Sequence, residues 1–359
     1  MSATQILKEK IAAKGGAISL EEYMETCLYD PQIGYYMTRT PLGENGDFTT
    51  APEITQLFGE ILAAWIVDSW VKMGAPTAFN LVEIGPGRGT LMHDILRTMF
   101  SVGSDCFGAA KITLVEVSPH LQKQQQSKLK CYNINYSENI DNINFNLPTI
   151  LIANEVLDAF PIRQFERLEG KEDSFFERFI TEENGQFIYT KNNEKHTFKN
   201  TENDIIETQE KMVLFLGNLK EKLTNGIALF IDYGDLTKGI QQDTLQAVKN
   251  HQKVSPFTSP GEADLTSQVN FSEVQKTLGN HCSNIVEMGP FLISLGFAVR
   301  ATQLMQNASE EQKETIEKAS HRLLHPEAMG SLFKAVCYQT GNWDIAGFDF
   351  ITPHENQSA

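Results

Sequence analysis

Apolar residues recur at helical spacing in the first part of the chain. Residues 5–30 carry two groups of such positions, which predict helical pieces that cap another part of the molecule. Residues 54–73 carry a stronger pattern, with Leu57, Ile61 and Trp65 on one face, and predict a helix that is buried along that face. Between these segments, residues 30–53 contain many glycine, proline and polar turn residues, so we expect an ordered loop there.

A different pattern begins at residue 79, where short apolar runs alternate with helical stretches. This alternation is typical of a parallel sheet whose strands are joined by crossover helices. The predicted strands are residues 79–84, 112–117, 132–134, 150–153 and 227–232. Residues 329–337 predict a last strand. The fold expected from this order is α/β, with a doubly wound and mostly parallel sheet.

A second β region is predicted between the fourth and fifth strands of that sheet. Residues 163–200 are rich in aromatic and β-branched side chains around the turn Glu183-Asn-Gly185, which predicts inserted β-hairpins. Residues 203–223 predict a return to helix. The expected domains are therefore a helical cap with its loop in residues 1–75, a core in residues 76–345 with an insertion at about 162–224, and a tail in residues 346–359.

Composition and charge exclude several classes of protein. The chain has 359 residues, of which 41% are hydrophobic, enough for a sizeable core. Its formal net charge of −16 argues against a general nucleic-acid binder, because no basic stripe is present to neutralise a phosphate backbone. A basic peptide would suit this surface better. No run of about 18 apolar residues predicts a membrane-spanning helix.

Cysteine usage and the amino-terminal sequence bear on the compartment. The five cysteines are scattered and form no C-x-x-C pair, so we expect reduced thiols and no zinc site. Residues 1–16 have no arginine and no apolar block, unlike a mitochondrial presequence or a signal peptide. The simplest expectation is a bacterial cytoplasm.

The segment Glu83-Ile-Gly85-Pro86-Gly87-Arg-Gly89 connects the first predicted strand of the sheet to a helix. Strand, glycine turn and helix in this order form the cofactor crevice of an open α/β sheet, although a plain turn is an alternative. A dinucleotide fingerprint would place its third glycine one position later, where this chain has a threonine. The spacing is that of a Rossmann-like class I methyltransferase that binds S-adenosylmethionine, with Pro86 inside the loop.

Two glutamates strengthen this interpretation. Glu83 precedes the first glycine, where a carboxylate can bind the methionyl ammonium and would repel a diphosphate. Glu116 ends the second predicted strand, where a carboxylate can accept both ribose hydroxyls. Nicotinamide enzymes share the second feature, so Glu116 supports adenosine binding without selecting the cofactor. Its alternative role is to cap the following helix.

Acidic and amide side chains follow the fourth predicted strand, at the edge where ligands bind in such sheets. If the segment is helical, Glu155 and Asp158 share one face next to Asn154. Carboxylates suit an arginine acceptor, because a guanidinium is always protonated and needs acidic groups to orient it. The alternative is that Asn154 and Asp158 make turn and cap hydrogen bonds. Asp232, after the fifth strand, either orients the acceptor or braces the loop.

Taken together, the motifs resemble those of the MidA family, bacterial and mitochondrial relatives of an arginine methyltransferase that assembles respiratory complex I. The resemblance runs over nearly the whole chain. Its motifs are Gly46-Asp-Phe-Thr-Thr-Ala-Pro-Glu53, Leu57-Phe-Gly-Glu60, Glu83-Ile-Gly-Pro-Gly-Arg-Gly-Thr-Leu-Met92, Val115-Glu-Val-Ser-Pro119, Ala153-Asn-Glu-Val-Leu-Asp-Ala-Phe-Pro161, Asp232-Tyr-Gly234, Thr244-Leu-Gln-Ala-Val248, Asp264-Leu-Thr266 and Met329-Gly-Ser-Leu-Phe-Lys334.

The resemblance implies a function and further site residues. It implies symmetric dimethylation of an arginine on an iron–sulfur-core subunit of NADH:ubiquinone oxidoreductase, and a loop over the cofactor that contains Asp47, Thr49 and Glu53. This chain departs from the family pattern at Met288-Gly-Pro-Phe-Leu292 and at Phe175-Phe-Glu-Arg178, which bear on the acceptor side. A homodimer, the role of His251 and the role of residues 264–266 are left open.

Two rival hypotheses remain at this point. A nicotinamide-dependent oxidoreductase is disfavoured by Thr90 and Glu83. A non-catalytic assembly chaperone that keeps the cofactor fold as a binding surface is opposed by the intact glycine loop.

Overall fold

The structure is a computed structural model that describes residues 1–39, 50–171, 173–199, 201–235 and 243–350. Its helices are α1 (Ala3–Ala13), α2 (Leu20–Tyr29), α3 (Tyr35–Thr38), α4 (Ala51–Ile54), α5 (Gln56–Lys72), α6 (Thr90–Val102), α7 (Ser104–Ala109), α8 (Pro119–Lys128), α9 (Glu210–Lys222), α10 (Phe271–Leu278), α11 (Met288–Ser294), α12 (Phe297–Met305) and α13 (Glu310–Leu324). Short helical turns lie at Ile140–Asn142, Leu157–Ala159, Gly279–His281 and Pro326–Gly330.

The strands lie mainly in the middle of the chain. They are β1 (Ile18–Ser19), β2 (Phe79–Ile84), β3 (Ala110–Val115), β4 (Ile134–Ser137), β5 (Thr149–Asn154), β6 (Arg163–Arg167), β7 (Ser174–Glu183), β8 (Gln186–Thr197), β9 (Ile205–Thr208), β10 (Gly226–Asp235), β11 (Gln246–Lys249), β12 (Gln252–Val254), β13 (Asp264–Thr266), β14 (Val269–Asn270), β15 (Val286–Glu287) and β16 (Phe333–Gln339).

The chain divides into two compact units, and each consists of several chain segments. The hairpin unit contains Met1–Phe48, Leu157–Phe215 and Asp235–Ser272. The sheet unit contains Thr49–Val156, Leu216–Gly234 and Glu273–Ala359. The domain boundaries expected near residues 75 and 345 stay a prediction.

The sheet unit contains the predicted parallel sheet. Its strand order is β15-β16-β10-β5-β2-β3-β4. Neighbouring strands from β10 to β4 run parallel, while β16 runs antiparallel to β10. Every residue of β2 and β5 is buried, as expected for central strands that are covered on both faces. The fold prediction is therefore confirmed, because all five of its parallel strands lie in this sheet.

The helix that the sequence predicts over residues 54–73 is also present, as α5. It begins at Gln56 because Thr55 is extended and its hydroxyl caps the helix by accepting from the backbone N–H of Leu57. Leu57, Ile61 and Trp65 are buried in the main core of the sheet unit. The buried face follows the predicted periodicity.

The hairpin unit contains the predicted inserted hairpins. Strands β7 and β8 pair antiparallel across the turn at Asn184 and Gly185, and β6 pairs with β7. A second sheet has the strand order β12-β11-β13. Helices α1 and α2 contribute Leu7, Ile11 and Tyr23 to the apolar cluster of this unit. The two helices predicted in residues 5–30 are thus confirmed.

Two predicted elements need correction. Residues 203–223 are not one helix, because Ile205–Thr208 forms β9 against β6 and the helix begins only at Glu210. Three β-branched side chains favour this strand, and its pairing partner lies far away in the sequence. The last strand begins at Phe333 rather than residue 329, because a helical turn occupies Pro326–Gly330.

The segment predicted as a loop contains short helices. Tyr35–Thr38 forms α3 and Ala51–Ile54 forms α4, while residues 40–49 lie outside the described part of the chain. Over the described ranges, each helix is too short or too polar to cross a membrane. The same ranges hold no group of three or more side chains placed to bind a metal ion.

Candidate functional site

The glycine loop leaves β2 and ends at the first residue of α6. Gly85, Gly87 and Gly89 have φ angles of 63°, 53° and 77°, in the left-handed region that side chains disfavour. A Cβ on Gly85 would lie 2.7 Å from Cγ2 of Val156, in the segment that follows β5. Within the loop, the carbonyl of Pro86 accepts a 2.7 Å hydrogen bond from the N–H of Gly89. Glycine is thus required for both backbone conformation and close packing.

Glu83 lies beneath this loop and is almost completely buried. Burial and, to a smaller extent, the nearby Glu116 raise the pKa of its carboxyl, a hydrogen bond from the backbone of Met92 lowers it, and the resulting pKa is about 8. Its Oε2 atom is buried and has no hydrogen-bond partner among the described residues. An unsatisfied acidic oxygen at this place fits a cationic ligand group, such as the ammonium of a methionyl moiety.

Glu116 follows β3 at the same edge of the sheet. Its Oε1 accepts from the N–H of Ser118 at 2.9 Å, and its Oε2 accepts from Nε2 of Gln125 at 3.1 Å. Burial raises the pKa of this carboxyl to about 7. The side chain that caps α8 is that of Ser118, which accepts from the N–H of Leu121, so the capping role considered for Glu116 is filled by another residue.

Of the three residues expected to cover the cofactor, only Glu53 lies in the described part of the chain. Asp47 and Thr49 fall within residues 40–49. Glu53 is in α4, where its Oε1 accepts from the hydroxyl of Thr90 at 2.5 Å and its Oε2 lies 3.3 Å from Nη1 of Arg88. Glu53 therefore ties α4 to the glycine loop and the beginning of α6.

Asn154 and Glu155 end β5, next to the glycine loop in the sheet. Glu155 has a φ of 54°, which ends the strand in a left-handed conformation. Its Oε1 accepts from the N–H of Ala51 at 3.0 Å and from Nδ2 of Asn154 at 3.1 Å. Burial raises the pKa of the Glu155 carboxyl. Oδ1 of Asn154 is buried and, over the described ranges, unpartnered.

The predicted helical face shared by Glu155 and Asp158 does not form. The left-handed backbone of Glu155 breaks any helix there, and only a short turn, Leu157–Ala159, follows. Asp158 belongs to the hairpin unit, where it is buried. There it is close enough to Tyr36 to help raise the pKa of that phenol, after burial and Asp264, to which the phenol donates at 2.8 Å.

Asp232 lies within the next strand, β10, three residues before its end, and is 1% exposed. Its Oδ2 accepts from the N–H of Val156 at 3.0 Å and its Oδ1 from its neighbour Tyr233 at 2.8 Å. Of the two roles considered for Asp232, these bonds support bracing of the segment after β5.

His251 and residues 264–266, whose roles the sequence left open, lie in a turn and in a strand. Asn250 and His251 have φ angles of 50° and 60° in the turn between β11 and β12. Asp264–Thr266 is β13, which pairs with β11. Neither feature belongs to the sheet unit.

Sequence reasoning missed one buried polar residue of this site, Gln125. It lies in the polar run of α8, and its Nε2 donates to Gly87 at 2.7 Å as well as to Glu116. The available signal was its spacing of four residues from both Leu121 and Leu129, which places it on the buried face.

Comparison with known proteins gives a family for the chain. A family model described as "Putative S-adenosyl-L-methionine-dependent methyltransferase" matches residues 61–290. This match covers the glycine loop, Glu116 and the end of β5. A solved structure from Burkholderia thailandensis, bound to S-adenosyl-homocysteine, has a TM-score of 0.80 at 24% identity, covering 97% of this chain and 92% of that one. This likeness supports the fold.

Curated relatives match over almost the whole chain. The Drosophila melanogaster protein named protein arginine methyltransferase NDUFAF7 homolog, mitochondrial, is 32% identical over 93% of this chain and 84% of its own. The proteins named protein arginine methyltransferase NDUFAF7, mitochondrial, from Danio rerio and Homo sapiens also match. The zebrafish protein is 32% identical, covering 91% of this chain and 84% of its own, and the human protein is 29% identical, covering 89% and 79%.

These relatives contradict one prediction. The sequence led us to expect a bacterial cytoplasmic location, but the Drosophila, zebrafish and human relatives are all named as mitochondrial proteins. The prediction, which rested on the composition of residues 1–16 and on the scattered cysteines, was therefore wrong.

The family match also decides between cofactors. It confirms the methyltransferase spacing of the glycine loop and removes the nicotinamide alternative. The unsatisfied oxygen of Glu83 and the carboxylate of Glu116 suit the ammonium and ribose of S-adenosylmethionine. The chain therefore belongs to this family of S-adenosylmethionine-dependent methyltransferases, and the resemblance to the MidA family is confirmed.

Proposed function

We propose that this enzyme methylates an arginine side chain of a protein, and that Glu155 and Asn154 bind the guanidinium. The observation that carries the proposal is the end of β5, where the carboxylate of the half-buried Glu155 lies beside the buried amide oxygen of Asn154, which has no partner among the described residues. A guanidinium offers five N–H donors and a permanent positive charge, so it can satisfy both acceptors at once. A neutral acceptor would leave the Glu155 carboxylate uncompensated.

The position of these groups suits transfer from the cofactor. Strand β5 pairs with β2, and Val156 contacts Gly85 of the glycine loop, so the acceptor segment adjoins the cofactor loop. Asp232 holds the N–H of Val156, and Ala51 holds the carboxylate of Glu155. The acceptor groups are thus fixed by backbone contacts before a substrate arrives, which reduces the cost of positioning.

The reaction must also dispose of one proton. S-adenosylmethionine supplies an electrophilic methyl group on a sulfonium. A bond forms between that carbon and a guanidinium nitrogen, the carbon–sulfur bond breaks, and one N–H proton leaves. Glu155 is suited to accept it, because the raised pKa of its carboxyl makes it a stronger base than a carboxylate in water.

Support for the finer assignment comes from the named relatives and the family resemblance. The relatives are named protein arginine methyltransferases, which supports arginine as the acceptor. From the MidA resemblance we propose an iron–sulfur-core subunit of NADH:ubiquinone oxidoreductase as the substrate during complex I assembly, with symmetric dimethylation as the product. The homodimer remains part of this proposal. The net charge of −16 favours a basic segment of the substrate.

The test separates binding from transfer. Purified enzyme would be incubated with unmethylated iron–sulfur-core subunits and radiolabelled S-adenosylmethionine, and the product would be hydrolysed to identify methylated arginine. For Glu155→Gln we expect a loss of transfer of about 100-fold or more, with S-adenosylhomocysteine binding within a few-fold of the native value. The matched control is Glu138→Gln, an exposed acid near the same edge, which should retain full activity.

Two outcomes would oppose the proposal. Full transfer by Glu155→Gln would remove Glu155 from the acceptor site. Assembly of the substrate complex that proceeds normally with Glu155→Gln, without any methylarginine in the product, would favour the chaperone hypothesis over catalysis.

A further inference from the structure

Helix α8 contains a buried glutamine within an otherwise polar, largely solvent-facing sequence. Gln125 is 0% exposed, whereas the next residue, Gln126, is exposed. Burial of an amide is unfavourable unless its hydrogen bonds are satisfied, so a buried Gln in such a run needs a structural or functional reason.

The contacts of Gln125 join two parts of the cofactor site. Its Nε2 donates to the carbonyl of Gly87 at 2.7 Å and to Oε2 of Glu116 at 3.1 Å. The helix also approaches the loop closely at Gly89, where an added Cβ would lie 3.4 Å from Cγ of Gln125. Both N–H groups of the amide are therefore used, and they fix the position of the Glu116 carboxylate relative to the glycine loop.

The oxygen of the same amide is not used by the described residues. Oε1 of Gln125 is buried and lacks a hydrogen-bond partner in the part of the chain that the structure describes. It lies on the same side chain that contacts the carboxylate expected to bind the ribose. A ligand hydroxyl that bonds to Glu116 would find this second acceptor next to it.

We propose that Gln125 is a positioning residue of the cofactor site. Its amide nitrogen fixes the carboxylate of Glu116 in the orientation and charge state that accept ribose hydroxyls, and its amide oxygen accepts a hydrogen bond from one of those hydroxyls. The inference concerns the cofactor side alone and does not depend on the identity of the methyl acceptor.

The pKa of Glu116 is lowered by hydrogen-bond donors and not by cations, which makes its ionisation sensitive to Gln125. Glu83, on β2, is the neighbouring acid and faces it. The cations nearest the loop are engaged elsewhere: Lys128 donates to Thr90, and Arg88 pairs with Glu53. The groups that lower the pKa of Glu116 are hydrogen-bond donors, namely the N–H groups of Ser118 and Val117 and the amide of Gln125. Loss of one donor should therefore raise the pKa further.

The experiment measures S-adenosylhomocysteine affinity against pH by calorimetry for the native enzyme and for Gln125→Met, which keeps the length of the side chain but has no amide. We expect about 10-fold weaker binding at pH 7.5, as for loss of a hydrogen bond to a charged group. We also expect the pH at which affinity is half lost to move upward, so that the deficit is larger at pH 6.5 than at pH 9. Gln126→Met is the matched control and should bind like the native enzyme.

A second variant should show the opposite dependence of S-adenosylhomocysteine affinity on pH. Gln125→Glu places another carboxyl beside Glu116, so its affinity should decline as pH rises from 7 to 9, where the native affinity does not fall. Thermal unfolding of each variant shows whether it is folded. A native pH profile in Gln125→Met, or an equal loss of affinity at every pH in both Gln125 variants, would overturn the proposal.

Discussion

At the scale of single residues, the site is dominated by two buried acids whose ionisation is opposed by burial. The pKa of Glu83 is raised to about 8 and that of Glu116 to about 7. Both therefore hold protons in the free protein at pH values where ordinary glutamates are ionised. A ligand with a positive charge must displace those protons to form its ion pair.

This competition predicts proton release on cofactor binding. Near pH 7, we expect binding of S-adenosylmethionine to release up to about one proton, and affinity to fall as pH decreases from 8 to 6. Calorimetric titration in two buffers that differ in ionisation enthalpy measures the released proton directly. Binding that neither releases protons nor depends on pH in this interval would contradict the assignment of Glu83 and Glu116.

The same shift affects the stability of the free protein. Because the pKa of Glu83 is higher in the folded protein than the ordinary value of 4.5, its favourable contribution is present below that value and is lost as pH rises through about 8. We expect Glu83→Gln to raise thermal stability at pH 9 relative to the native protein, by on the order of 1 kcal/mol or more, while cofactor binding is lost.

Thermal unfolding of the ligand-free protein at pH 5, 7 and 9 measures this effect. The exposed Glu138→Gln variant serves as the control and should follow the native pH dependence. If Glu83→Gln shows the same decline in stability as the native protein, another group is responsible for it.

At the scale of elements, the contact between the glycine loop and the segment after β5 couples the two halves of the site. Gly85 has a φ of 63°, and its Cβ position is 2.7 Å from Val156. A side chain there would strain the backbone and displace the acceptor segment as well. A change in the conformation of the glycine loop should therefore also shift the segment after β5.

Gly85→Ala should therefore destabilise the protein by about 1–3 kcal/mol and weaken cofactor binding strongly. Adding Val156→Ala should recover part of the stability, because it removes the clash but not the backbone strain. Gly217→Ala, in α9 with no atom near its Cβ position, should be neutral or slightly stabilising. Chemical denaturation measures all three, and identical stability of the single and double variants would show that the contact is unimportant.

The elements also show what sequence patterns can and cannot predict. Strands β2 and β5 are short, mostly apolar runs next to turn residues, and such local patterns predicted them well. Residues 205–208 were misassigned because their pairing with β6 is a long-range contact that local periodicity does not contain. The same limit applies to the site. Gln125 becomes a site residue only through the packing of α8 against the glycine loop, and that packing is also a long-range contact.

Topology predicted where most of the remaining candidate residues lie. Glu83, Glu116, Glu155 and Asp232 lie at or next to the ends of neighbouring parallel strands, and that order follows from the fold class. The position of Asp158 could not be predicted from the sequence, because it depends on the φ angle of Glu155. A local helix was the only geometry that sequence spacing could propose.

At the scale of the whole molecule, the excess of acidic residues has a kinetic consequence. A net charge of −16 attracts a basic acceptor segment at long range, and added salt weakens this attraction by screening it. We expect KM for a basic protein substrate to rise severalfold between 50 and 300 mM salt while kcat changes little. Steady-state kinetics at several salt concentrations measure this, and binding of S-adenosylhomocysteine, which is held by buried groups, is the control. A KM independent of salt would indicate that the acceptor is not recognised through charge.

The short helix α4 is joined at both ends to functional groups. Ala51 donates to the carboxylate of Glu155, and Glu53 accepts from Thr90 at the beginning of the helix that follows the cofactor loop. Three consecutive residues, 51–53, thus connect the cofactor loop to the acceptor carboxylate. The two substrates are therefore expected to bind with positive thermodynamic linkage: each should increase the affinity for the other by the same factor, so that an acceptor peptide is held more tightly by the enzyme that already contains its cofactor.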